Sequence, residues 1–216
     1  MKPSIVPLGD SAALIQLGET IHPSVNQRVR ALAKRIEASA VNGLIETVPA
    51  YTTVLVQYDP LILSFAQLKN ILQEKIDQTD ESASRKPRLL EIPVRYGGAY
   101  GVDLETVARH LHLSVADIIR IHSAKIYTVY MMGFMPGYPY MGELDSALVM
   151  PRLETPRARV AAGTIAIAGS QTGIYSVESP GGWRLIGWTP LILFDSKSES
   201  PFLFSPGDEV KFFEER

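Results

Sequence analysis

The chain has 216 residues, of which 46% are apolar and 20% charged, with a net charge of −2 and no cysteine. That length allows one large domain or two small ones, with a core sizeable enough to need no staple. It excludes disulfides, thiolate catalysis and cysteine-based zinc sites, and it offers no basic footprint for nucleic acid.

The N-terminal stretch MKPSIVPLGD has no apolar run of signal-peptide length. Nothing along the chain approaches the roughly 18–20 apolar residues of a membrane span. The expectation is a cytoplasmic protein without a membrane partner. Ala12–Leu17 reads as a short strand. Pro23 to Ala38 reads as a helix, with Pro23 in the first turn and Val25, Val29, Leu32 and Ile36 on one face. Leu44–Val48 and Thr53–Tyr58 are apolar or β-branched runs that can pair as neighbouring strands. Ser64 can cap a helix running to about Ile76, with Phe65, Leu68, Ile71 and Leu72 inward.

Asp77–Pro87, DQTDESASRKP, is polar and lacks any large apolar residue, so it reads as a linker. It divides the chain into an N-terminal domain, residues 1–85, and a second domain, residues 86–216. The second domain opens with a strand at Leu89–Val94. Two short helices follow, one capped by Asp103 and one by Ser114. From Lys125 onward the pattern is β: Ile126–Met132, Thr164–Ala168, Trp183–Ile186, Leu191–Phe194 and Glu209–Phe213. Regular glycine and proline punctuation points to a barrel or closed sandwich.

Between these strands lie three blocks rich in glycine, proline and aromatic residues: GFMPGYPYMG, GTIAIAGSQTGIY and SPGGWRLIGWTP. Glycine permits positive φ and close backbone approach, and proline fixes φ, so the blocks read as shaped loops around a pocket or docking face. His122 ends a helix just before the strand leading into the first block. It is either a capping histidine or one with a route into the pocket, and the helix C-terminus favours its protonated form. His110 and His112 are badly spaced for a shared metal, and no metal site is expected. The helices around them superficially resemble a helix-turn-helix, but the second offers Arg120 alone as a basic group.

Arg152 and Arg157 sit in the proline-stiffened PRLETPR, either as surface residues or as partners for a small acidic ligand. Ser170, Gln171 and Thr172 lie between Gly169 and Gly173, either on a solvated hairpin turn or as hydrogen-bonding groups for a ligand. Trp183 and Trp188 are core residues or pocket walls. No Walker A, GxGxxG or GxSxG pattern is present.

In order, His122-Ser123, Gly133–Tyr140, Pro151–Arg157, Ala162–Tyr175 and Ser179–Gly187 carry a resemblance, with Pro7–Ala12 and Ile92–Gly98 in support. The chain resembles the family of the 5-oxoprolinase B subunit, also described as the Kip-type inhibitor of a sporulation histidine kinase and as the first of the allophanate hydrolase subunits. The resemblance implies an α+β protein: a small N-terminal α/β domain followed by a C-terminal cyclophilin-like β-barrel. It implies an ATP-dependent complex, with A-like and C-like partner subunits, that opens 5-oxo-L-proline to L-glutamate. Docking on a sensor histidine kinase and hydrolysis of allophanate are the alternative roles it implies. For the lactam reaction, His122 and Gln171 are the candidate catalytic residues. Arg152, Arg157, Thr172, Tyr138, Tyr140 and Tyr175 are the candidate substrate contacts. Phe134, Tyr138 and Tyr140 would be anchors in the kinase alternative.

Overall fold

A computed structural model describes residues 2–79 and 87–215. The chain divides into two compact units, residues 1–86 and 87–216. Most of the expected linker, residues 80–86, lies outside the described residues.

The first unit is a four-stranded antiparallel sheet with two helices. The strands are β1 (Ser4–Pro7), β2 (Ala12–Gln16), β3 (Leu44–Pro49) and β4 (Thr53–Tyr58), in the order β1-β2-β4-β3. The helices are α1 (Pro23–Glu37) and α2 (Phe65–Asp77). The apolar stripes read from the sequence face the sheet: Val29, Leu32 and Ile36 of α1 meet Leu68 and Leu72 of α2 over Ile15, Val54 and Val56. Ser64 forms a full capping box, accepting from the Gln67 amide while the Gln67 side chain accepts from the Ser64 amide at 3.0 Å. One residue escapes the periodicity. Asn26 is fully buried, and its amide donates to the Ala50 and Tyr51 carbonyls at 3.0 and 3.3 Å, tying α1 to the β3–β4 turn.

The second unit is built on a barrel. Its elements are β5 (Leu89–Tyr96), α3 (Leu104–Leu111), α4 (Val115–Ala124), β6 (Ile126–Met132), β7 (Pro139–Gly142), β8 (Arg157–Val160), β9 (Thr164–Ala168), β10 (Gln171–Ile174), β11 (Ser179–Gly181), β12 (Arg184–Trp188) and β13 (Glu209–Glu214). Seven strands close in the order β10-β7-β6-β13-β5-β12-β9, and β8 and β11 pair separately as a ribbon. The unit joins β13 to β5 in parallel, while the other barrel pairs are antiparallel. The expected α+β architecture with a barrel is therefore present.

Two sequence expectations fail locally. Leu191–Phe194 is no strand; Phe194 makes one isolated bridge to Phe202, on which its ring stacks at 5.3 Å. Asp103 makes no capping bond to α3. Its carboxylate instead takes the Arg157 guanidinium at 2.6 Å and the Leu185 amide at 2.8 Å. A charged partner and a buried amide outcompete a helix amide that water also satisfies.

Alternation along the strands builds two cores from one sheet. Ile165, Ile167, Met141, Ile174 and Ile186 point into the lumen. Ala166, Ala168, Tyr138 and Leu185 point outward into a second core, which also takes Tyr175, Trp183 and Val160 of the ribbon. This outer core positions the candidate site.

Candidate functional site

Small residues on the outward face of β9 and β10 leave room for large rings above them. Gly173 is one such place: a Cβ there would lie 2.5 Å from the Tyr138 hydroxyl oxygen. Gly181 on β11 is another, with the Tyr175 ring against it. Tyr138 packs against Tyr140 at 4.8 Å, Tyr175 at 5.4 Å and Trp183 at 5.9 Å between ring centroids. These contacts are edge-on or tilted, the arrangement the ring quadrupoles favour.

Beside this cluster opens a cavity of about 320 Å³, walled by Phe134, Tyr138, Tyr140, Tyr175 and Trp183, with Leu153, Pro156 and Pro180–Gly182 closing the ribbon side. Arg152 also lines it, with its guanidinium carbon 5.9 Å from the Trp183 ring centroid. Burial raises the pKa of the Tyr140 and Tyr175 hydroxyls, and nearby Arg152 pulls partly against this in both. The Tyr175 oxygen also accepts from the Trp183 amide. At neutral pH both phenols are protonated and lie near the Arg152 cation. The pocket thus offers aromatic walls, two hydroxyls and one guanidinium, a set suited to a small ring bearing an anionic group.

Phe134 forms the rim. It is 66% exposed, and its φ is +66°. The Met135 amide bonds back to the Gly133 carbonyl at 2.8 Å, making Phe134 the centre of a γ-turn of the rare positive-φ type. Strain held at an exposed aromatic beside a cavity points to a rim residue kept for its side chain. Phe134→Gly is accordingly expected to change stability by less than about 1 kcal/mol, because the relieved backbone offsets the lost contact. Thermal denaturation checks this, and a clear loss of stability contradicts the strain account.

The structure separates the residues the sequence grouped. Tyr138, Tyr140, Tyr175 and Arg152 meet in the pocket. Arg157 does not line it; its Nη2 is bound by Asp103, and its Nη1 is buried with no hydrogen-bond partner among the described residues. Gln171 lies at the start of β10 opposite Gly142 and Ala168, away from the lining. Thr172 and His122 are fully buried in the barrel lumen. His122 Nδ1 meets the Tyr96 hydroxyl at 2.7 Å, and Nε2 meets Thr172 Oγ1 at 3.0 Å. Because Thr172 donates to the Ala166 carbonyl at 3.2 Å, Nε2 must carry the proton and Nδ1 must accept from Tyr96. Desolvation lowers the His122 pKa to about 3. The protonated form expected at a helix end is overruled, since burial of a charge outweighs the helix dipole. Trp183 and Phe134, both in the blocks singled out from the sequence, prove to be pocket residues.

Among the described residues no group of three or more histidine, aspartate or glutamate side chains is arranged to hold a metal. No described helix is long and apolar enough to cross a membrane.

Comparison with known proteins identifies the family of the chain. The family described as carboxyltransferase domain, subdomain C and D, matches residues 3–204. The chain is 43% identical to the 5-oxoprolinase B subunit of Bacillus subtilis (strain 168), over 96% of this chain and 91% of that protein. It is 38% identical to the 5-oxoprolinase B subunit of Haemophilus influenzae, over 98% of each. The crystal structure of TTHA0988 superposes with a TM-score of 0.84 at 39% identity, covering 95% of this chain but 40% of that longer one. The chain belongs to the family of 5-oxoprolinase B subunits.

Proposed function

We propose that this chain is the B component of a cytoplasmic, ATP-dependent complex that opens 5-oxo-L-proline to L-glutamate, and that the outer aromatic pocket holds the lactam. The observation that carries the site assignment is the guanidinium of Arg152 set over Trp183 in a ring-sized cavity. Arg152 takes the ring carboxylate as a charge-assisted pair. Tyr138 and Trp183 pack the ring. The protonated hydroxyls of Tyr140 and Tyr175 are the donors for the lactam oxygen, where negative charge develops as water adds. The amide carbon–nitrogen bond then breaks, and the ring nitrogen leaves as the amine of glutamate.

A triphosphate does not fit this lining, which has one arginine and no lysine. No step in this chain is therefore routed through ATP, and its use is assigned to the assembled complex with A-like and C-like partner subunits. His122 and Thr172 act from inside the barrel by holding β10, on which Gly173 underlies Tyr138.

The test is 5-oxoproline-dependent ATP hydrolysis by the chain mixed with its partner subunits. Arg152→Ala is expected to raise the KM for 5-oxoproline by about 10- to 100-fold, the range for losing one charge-assisted pair. Inactivity of the complete mixture on 5-oxoproline refutes the function, and an unchanged KM refutes the site. The kinase-docking role would use the same rim, where Phe134 stands exposed. Autophosphorylation assayed against added chain tests it, and no inhibition at micromolar levels removes it.

A further inference from the structure

The pocket contains a cation and no anion. Of the residues lining it, Arg152 alone carries a formal charge. Two nearby carboxylates are engaged elsewhere, Asp103 by Arg157 and the Leu185 amide and Glu178 by Arg159 at 2.6 Å, and Glu154 between Leu153 and Pro156 is exposed and does not line the cavity. The aromatic walls do not make up for the missing anion. The Trp183 face is taken by Arg152, and Tyr138 is enclosed by Tyr140, Tyr175 and Trp183. Deeper than the exposed rim ring of Phe134, a second cation would therefore meet the like charge of Arg152 and no counter-ion among the lining residues.

Resting on the reading of this pocket as a lactam site, we propose that the charge on the ligand's ring nitrogen decides specificity. Five-membered-ring carboxylates with an uncharged ring are accepted, and proline is rejected. Proline has the same ring and carboxylate as 5-oxoproline and is smaller, so shape in a cavity of about 320 Å³ cannot exclude it. Its ring nitrogen is a secondary ammonium at neutral pH, whereas a lactam N–H is neutral. Enclosing an unpaired ammonium costs far more than enclosing an amide or a methylene. The site would thus ignore a chemically close and charged amino acid with no steric barrier against it.

The test is calorimetric titration of the full-length chain, alone and with its partner subunits, at neutral pH. Three ligands are compared: 5-oxoproline, cyclopentanecarboxylate and proline. Cyclopentanecarboxylate keeps ring and anion and, like proline, lacks the lactam oxygen that Tyr140 and Tyr175 would meet, so the two differ at the ring nitrogen alone, and proline is expected at least about 100-fold weaker than cyclopentanecarboxylate. Proline binding within about 100-fold of cyclopentanecarboxylate overturns the proposal, because the charge is then tolerated. Binding of 5-oxoproline without cyclopentanecarboxylate also overturns it, since the lactam's own polar contacts would then decide. If no ligand of the three binds, the lactam-site reading itself fails, and the proposal with it. Arg152→Met should weaken 5-oxoproline and cyclopentanecarboxylate alike, and unchanged affinities in that variant place binding elsewhere and overturn the proposal.

Discussion

Gly181→Ala is expected to cost about 3 kcal/mol of stability and to abolish ligand binding, while Gly182→Ala next to it should be close to neutral. The two glycines are adjacent in SPGGW, and sequence gives no reason to treat them differently. A Cβ on Gly181 would lie 2.6 Å from Cζ and 2.7 Å from Cε1 of Tyr175, with the hydroxyl oxygen closer still. Tyr175 cannot step aside. It is 1% exposed, packs edge-on against Tyr138 and accepts from the Trp183 amide. Displacing it breaks the outer core and the pocket wall together. A Cβ on Gly182 meets nothing nearer than Pro156 Cγ at 3.6 Å, an ordinary contact. Denaturant unfolding of both variants checks this contrast. Tyr175→Phe in the Gly181→Ala background removes the nearest clashing atom and should recover part of the loss, so the two changes should be non-additive by about 1 kcal/mol. Equal effects of the two glycine variants would falsify the account.

The same region marks how far the sequence can be read. The amphipathic stripe of α1, the capping box at Ser64 and the β-rich second unit follow from periodicity and local chemistry, which depend on near neighbours. The glycine blocks are legible as shaped loops for the same reason. Their internal division is not. PRLETPR presents two equivalent arginines, yet Arg157 goes to Asp103 at the start of α3 and Arg152 goes to Trp183. Both partners are distant in sequence. The ribbon strands β8 and β11 are short, and one of them reads Ser-Pro-Gly, so no strand signal exists to find. In Thr164–Ala168 every residue is buried, and only the pairing shows that the isoleucines fill the lumen and the alanines make room for the outer rings. His122 is the sharpest case. A histidine at a helix end reads as a chargeable cap or a pocket residue until the barrel closes around it.

Acid is expected to destabilise the barrel through His122, by about 1.4 kcal/mol per pH unit below pH 6.5 and by roughly 5 kcal/mol in all once the pH approaches 3. The direction follows from where protons bind. In the unfolded chain the imidazole has its ordinary pKa of 6.5; in the fold desolvation holds it down to about 3. Between these values the unfolded state binds more protons, so stability is complete above the unfolded pKa and is lost as pH falls through the window. The groups that face the ring are all uncharged, the Tyr96 and Thr172 hydroxyls and the Phe212 and Tyr127 rings at 4.6 and 5.4 Å, so no counter-ion offsets the desolvation of the cation. Urea unfolding at pH 7 and pH 5 should lose about 2 kcal/mol from this group in the parent chain and nothing from it in His122→Gln. If parent and variant lose stability equally, His122 is protonated freely in the fold. The catalytic consequence is the same physics seen at neutral pH. A histidine with both nitrogens bonded and its proton fixed on Nε2 does not take up a proton from a ligand across the barrel wall. His122 joins Tyr96 on β5 to Thr172 on β10, which lie on opposite sides of the closed ring of strands. It therefore fixes the strand that carries Gly173 beneath Tyr138, and it reaches the pocket through position alone. His122→Gln should then alter ligand affinity through that strand while leaving the pH profile of turnover near neutrality unshifted.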